Sequence, residues 1–98
     1  MRIMNEKVKS PATDRLFQAV LSLKTTEDCY NFFEDLCTIP EVLEMAKRLT
    51  AASMLAEGKK YTEVAAETGL STATISRVNR CLKYGNGGYQ TVLSNLAE

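Results

Sequence analysis

Apolar residues recur along the chain at steps of three and four, with no stretch of strict alternation, so the pattern predicts helices throughout. Ser10 followed by Pro11 reads as an N-cap and a first helical residue, and Leu16, Phe17, Val20 and Leu21 continue that helix. Thr25 and Asp28 have the spacing of a capping box, with Tyr30, Phe32, Phe33 and Leu36 as the apolar side of a second helix. Thr38-Ile39-Pro40-Glu41 is a stronger start: threonine caps, proline needs no donor there, and Glu41 reaches back. The third helix carries Val42, Met45, Ala46, Leu49, Ser53 and Leu55 or Ala56 on its apolar side and ends at Gly58. Residues 61–83 hold two helices around one tight turn. Tyr84-Gly85-Asn86-Gly87-Gly88 then breaks the helix as a flexible joint, and Tyr89, Val92, Leu93 and Leu96 mark a short final helix. The expected fold is all-α, with about six helices in one domain over residues 1–98 and residues 1–9 flexible.

Residues 61–83 meet the packing demands of a helix-turn-helix. Ala65 is the small residue where the two helices touch, Gly69 supplies the turn four positions later, and Val64, Leu70, Ile75 and Val78 are the apolar contacts that fix the crossing. Ser71 is placed to cap the second helix by accepting the amide of Thr74. With Ile75 and Val78 facing inward, Thr72, Ala73, Ser76, Arg77 and Arg80 face outward. That face is small, hydroxylated and basic, which suits a helix entering a major groove about 12 Å wide. Thr72 and Ser76 are candidates for hydrogen bonds to bases or phosphates, Ala73 for a thymine methyl, and Arg77 and Arg80 for guanine or phosphate. Ser71, Lys59, Lys60 and Lys83 complete the candidate DNA-binding set as flanking contacts.

Charge changes this picture little. Lys+Arg and Asp+Glu are 12 each, so the net charge carries no argument for nucleic acid. The distribution is uneven: residues 1–57 have seven basic and nine acidic side chains, residues 58–83 five and two, and residues 84–98 only Glu98, giving −2, +3 and −1. Histidine is absent, and Cys29, Cys37 and Cys81 form no CxxC pair, so neither zinc nor a disulfide framework is expected; the thiols read as reduced, buried, small apolar groups. No apolar run reaches membrane-spanning length, and the expected location is the cytoplasm with no membrane partner. An enzyme is the weakest reading, because no nucleophile and base pair can be named and Gly85-Asn86-Gly87-Gly88 follows no strand.

Residues 36–41, residues 69–83 with their Ala73-Thr74-Ile75-Ser76-Arg77 core, and the run from Arg80 to Tyr89 resemble the tryptophan-repressor superfamily, and more closely its YerC/YecD-type members. The resemblance implies an all-α, intertwined homodimer that presents two reading heads to a palindromic operator on double-stranded DNA and acts as a transcriptional regulator, most simply a repressor. It also implies an effector pocket at Arg48, Arg77, Val78 and Cys81. Val78 stands where the repressor has glycine against the indole, and Cys81 where it has serine, so tryptophan is not expected as corepressor and no cofactor is assigned. The competing reading is a helical protein-interaction module whose bihelical unit does not bind DNA.

Overall fold

The computed structural model describes residues 6–97, so positions 1–5 of the expected flexible segment 1–9 lie outside the described residues. The helices are α1 (Pro11–Leu21), α2 (Thr26–Leu36), α3 (Ile39–Ala56), α4 (Tyr61–Thr68), α5 (Thr72–Tyr84) and α6 (Gly88–Leu96), with no strand among the described residues. None is long and apolar enough to cross a membrane. The chain divides between Val42 and Leu43 into two compact units.

Local side-chain chemistry starts the helices. Ser10 Oγ accepts the Thr13 amide at 3.0 Å, and the Lys9 ammonium meets the Asp14 carboxylate at 2.6 Å beside it. Thr25 Oγ1 accepts the Asp28 amide at 3.0 Å, while the Asp28 carboxylate reaches one residue beyond a standard capping box, to the Lys24 amide at 3.2 Å. At α3 the box is reciprocal: the Thr38 amide donates to Glu41 Oε1 at 2.8 Å, and the Glu41 amide donates to Thr38 Oγ1 at 3.3 Å. Those bonds hold the Glu41 carboxyl below its ordinary pKa, the Thr38 backbone bond contributing most. The far end of α3 closes in a Schellman motif. Gly58 takes φ +87°, its amide donates to the Leu55 carbonyl, and the Lys59 amide donates to the Met54 carbonyl, both at 3.0 Å.

In the N-terminal unit, neither α1 nor α2 contains a buried residue. Phe32 and Phe33 pack edge to face with centroids 5.5 Å apart and are half-buried, whereas Tyr30, expected beside them, is exposed.

The second unit has a core, built from Ala51, Ala52 and Leu55 of α3, Val64 of α4, Leu70 in the turn, and Ile75, Val78 and Leu82 of α5. This corrects the expected face of α3. Met45, Ala46 and Leu49 stay exposed, and α3 turns its two alanines inward instead, because residues without long side chains let the helices behind them approach closely. The cysteines also depart from expectation: Cys29 and Cys81 are exposed and Cys37 is half-buried, all as free thiols. Cys81 is displaced because it lies one position off the Ile75, Val78 and Leu82 stripe that enters the core.

Candidate nucleic-acid interface

α4 and α5 form the bihelical unit. α4 starts at Lys60, whose side chain offers no acceptor, so only half a capping box forms: the Lys60 amide donates to Glu63 Oε1 at 3.2 Å. It ends at Gly69, whose φ of +74° carries the chain into the turn while its amide donates to the Ala65 carbonyl at 2.8 Å. The next helix is capped as its sequence predicts, with Ser71 Oγ accepting the Thr74 amide at 3.1 Å and lying 3.0 Å from Thr74 Oγ1.

Thr68 is the turn residue that pattern reading missed. Its hydroxyl is buried, donates to the Val64 carbonyl at 2.7 Å and accepts the Leu70 amide at 3.2 Å, thereby joining the last turn of α4 to the residue that leads into α5. Threonine closing a helix before glycine is the only local signal for it. Thr68→Val keeps the shape but strands the buried Leu70 amide, so chemical denaturation is expected to show a loss of about 1–2 kcal/mol, with Thr68→Ser near wild type. Equal stability of the two variants would remove the hydroxyl from this role.

Within α5, Ile75, Val78 and Leu82 enter the core, and Ile75 is fully buried. Thr72, Ala73, Ser76, Arg77, Arg80 and Lys83 are all exposed. At about 100° per residue, Ala73 and Arg80 lie opposite the buried stripe, Ser76 and Arg77 flank them at roughly 50° to either side, and Thr72 and Lys83 lie toward one edge. The surface is thus displayed by a helix whose rotation is fixed from behind. Ser71 sits at the N-terminal end of this surface and Lys59 and Lys60 precede α4, all exposed. Lys83 is about 16 Å along the axis from Thr72 at 1.5 Å per residue, three turns away from the capped end.

The other candidate set separates differently. Val78 is in the core and exposes almost nothing. Arg48 is half-exposed on α3, with its Nε 3.2 Å from Glu44 Oε2, an exposed i,i+4 pair worth a few tenths of a kcal/mol at most. Arg77 and Cys81 lie one turn apart on α5 and are exposed. Tyr89 of α6, read from sequence only as an apolar position, is half-buried and packs against the core that Val78 helps to build. Burial pushes its phenol above the ordinary pKa, the Cys81 thiol adds to that, and the Arg48 and Arg77 guanidinium groups oppose it. Among the described residues, no group of three or more His, Cys, Asp or Glu side chains is gathered that could hold a metal ion.

Comparison with known proteins bears on this arrangement. A model of the family described as Trp repressor protein matches residues 12–97. The Bacillus subtilis (strain 168) protein YerC, itself uncharacterized, is 52% identical over 93 residues, covering 95% of this chain and 89% of that protein. The crystal structure of a TrpR-like protein from Eubacterium eligens superposes with a TM-score of 0.91 at 53% identity, covering 94% of this chain and 95% of the other. A candidate Trp repressor from Staphylococcus aureus superposes with a TM-score of 0.90 at 44% identity, covering 96% and 94%.

Proposed function

We propose, from the premise that this chain belongs to the Trp repressor protein family, that it is a sequence-specific double-stranded DNA-binding transcriptional regulator, a repressor that works as a homodimer on a palindromic operator. The observation that carries the reading is α5: a helix capped by Ser71, locked from behind by Ile75, Val78 and Leu82, and presenting hydroxyl and guanidinium groups on the opposite side. A helix needs both properties to read bases, since short side chains allow approach and a fixed rotation aims them. Thr72, Ala73 and Ser76 near the capped end meet base edges, and Arg77 and Arg80 reach guanine or phosphate. Ser71, Lys59, Lys60 and Lys83 contact the backbone on either side. The homodimer is supported by the apolar side chains that α1 and α2 leave uncovered, and by a groove in the second unit between Leu49, Ser53 and Met54 of α3 and Leu93 and Leu96 of α6.

Selection of bound duplexes from a random pool, followed by fluorescence anisotropy at several salt concentrations, tests the reading. Affinity for the selected duplex is expected to fall steeply and linearly on a log–log plot against salt. Thr72→Ala with Ser76→Ala should cut the preference for the selected duplex over a random one by about tenfold or more, since each base contact discriminates by roughly 1–3 kcal/mol, while leaving the salt slope in place. Unchanged preference would remove these hydroxyls from base reading. Absence of binding to any duplex at low salt would favour a protein-interaction module instead.

A further inference from the structure

We infer that Tyr84 is a further DNA-contacting residue of α5: its phenol completes the outward ridge of Ala73, Arg77 and Arg80, and its hydroxyl donates to a backbone phosphate beyond the bases that the start of the helix reads. This rests on the functional reading above and adds to it a contact that neither charge nor hydrophobic pattern marks.

From sequence, Tyr84 heads the joint Tyr84-Gly85-Asn86-Gly87-Gly88, but in the structure it is the last residue of α5. At about 100° per residue, Ala73, Arg77, Arg80 and Tyr84 fall within about 60° of one another, nearly opposite the buried stripe of Ile75, Val78 and Leu82. Steps of four, three and four residues join them into one ridge along the helix. Tyr84 is 84% exposed, the most of the four tyrosines, so its ring adds nothing to the core. A single exposed aromatic is ordinary on a protein surface, but this one stands in line with two exposed guanidinium groups.

The end of α5 is held, so the ring is displayed from a fixed base. Leu82, two residues earlier, is buried, and its carbonyl, with no amide of α5 ahead of it, accepts the Gln90 side-chain amide at 2.8 Å. Gly85 follows directly. Its amide donates to the Cys81 carbonyl at 3.0 Å, and a Cβ there would collide with that same oxygen, so the helix can close behind Tyr84 only on glycine.

Length decides what Tyr84 meets. It lies about 16 Å along the axis from Ala73 at 1.5 Å per residue, more than the roughly 12 Å width of the major groove. A helix that sets its capped end against base edges therefore carries its far end past them, to the strand that walls the groove. Phosphate and sugar oxygens are the partners there, and tyrosine is among the side chains that donate to them. Arg80 and Lys83 bring charge to the same region, whereas the phenol brings a donor without charge. An uncharged donor releases no counterions, so its loss weakens binding and leaves the salt slope in place.

Fluorescence anisotropy of the full-length chain, with the selected and a random duplex at several salt concentrations, tests this. Tyr84→Phe is expected to weaken binding to both duplexes alike, by about threefold or more per chain as for one lost hydrogen bond, with preference and salt slope as in wild type. Tyr84→Lys should recover affinity at low salt and steepen the slope by about one per chain, because it sets a charge where the phosphate lies. Neither variant should move the melting temperature or the sedimentation coefficient, since the side chain supports no packing. Wild-type affinity in Tyr84→Phe, or an unchanged slope in Tyr84→Lys, would overturn the inference. So would a loss confined to the selected duplex, which assigns the phenol to base reading, or a shift in melting or sedimentation, which assigns it to folding or assembly. A wild-type chain that binds no duplex overturns the functional reading and this contact with it, whereas wild-type binding with no loss in Tyr84→Phe overturns the contact alone.

Discussion

Ile75→Ala is expected to lower stability by about 3 kcal/mol per chain, the middle of the range for truncating a fully buried isoleucine, and to reduce the melting temperature by about 15 °C. Ile75 exposes no surface and is, with Val64, one of the two largest fully buried side chains. It also sits on the first turn of α5, four residues after the cap, where its packing sets the rotation that aims Thr72 and Ser76 outward. Losing it leaves a void where α3, α4 and α5 meet, and the small alanines at 51 and 52 cannot fill it. DNA binding should weaken as well, because part of the population is unfolded and the remainder holds α5 less firmly. Arg80→Ala makes the contrast. Its side chain is exposed and enters no ion pair among the described residues, so stability should stay within about 0.5 kcal/mol while the salt dependence of DNA binding becomes shallower. Calorimetry and anisotropy on the two variants separate scaffold from contact. A melting temperature unchanged in Ile75→Ala would mean that α5 is not held from behind as the structure shows.

Much of the second unit was legible in the sequence because its determinants are local. Ser71 caps α5 through the Thr74 amide three residues on, and Gly69 turns the chain with a positive φ that a side chain would resist. Once Ile75 and Val78 are inward, the outward positions follow from helical geometry alone. The choice of face on α3 was not legible. That helix has apolar residues on two sides, and larger side chains at Met45 and Leu49 look like the stronger stripe. Which side enters the core is decided by α4 and α5, more than ten residues away in sequence, and they select the alanines. Thr68 and Tyr89 escaped for a related reason. A threonine at a helix end and a tyrosine in an apolar stripe both have ordinary local readings, and only packing shows that the first bridges a turn and the second sets its ring against the core. The cysteines show the converse: composition suggests burial, but Cys81 falls one position off the buried stripe and remains exposed.

Phe17→Glu combined with Leu36→Glu is expected to convert the protein from a dimer of two 10.9 kDa chains to a monomer in sedimentation velocity and to abolish operator binding at concentrations where the wild type saturates. α1 and α2 end their folding in this chain with nothing buried: Leu21 is 84% exposed, Ile39, at the start of α3, 72%, and Phe17 54%. Burying a leucine or phenylalanine side chain contributes roughly 1.5–3 kcal/mol, so covering even a few of these in each of two chains exceeds the cost of association. Helices of 11 residues are also marginal by themselves, and amphipathic packing is what ordinarily holds them. A second copy satisfies both needs, since a two-fold axis pairs the same apolar surface on each chain. In the proposed function one α5 would read one half-site, and two related by symmetry would reach half-sites about 34 Å apart, so loss of the pairing is expected to remove the gain from binding both at once. Wild-type melting temperature should therefore rise with protein concentration, and that dependence should disappear in the double variant. A wild-type chain sedimenting as a 10.9 kDa species at tens of micromolar would overturn the homodimer, whereas a dimeric double variant would place the interface elsewhere than on Phe17 and Leu36.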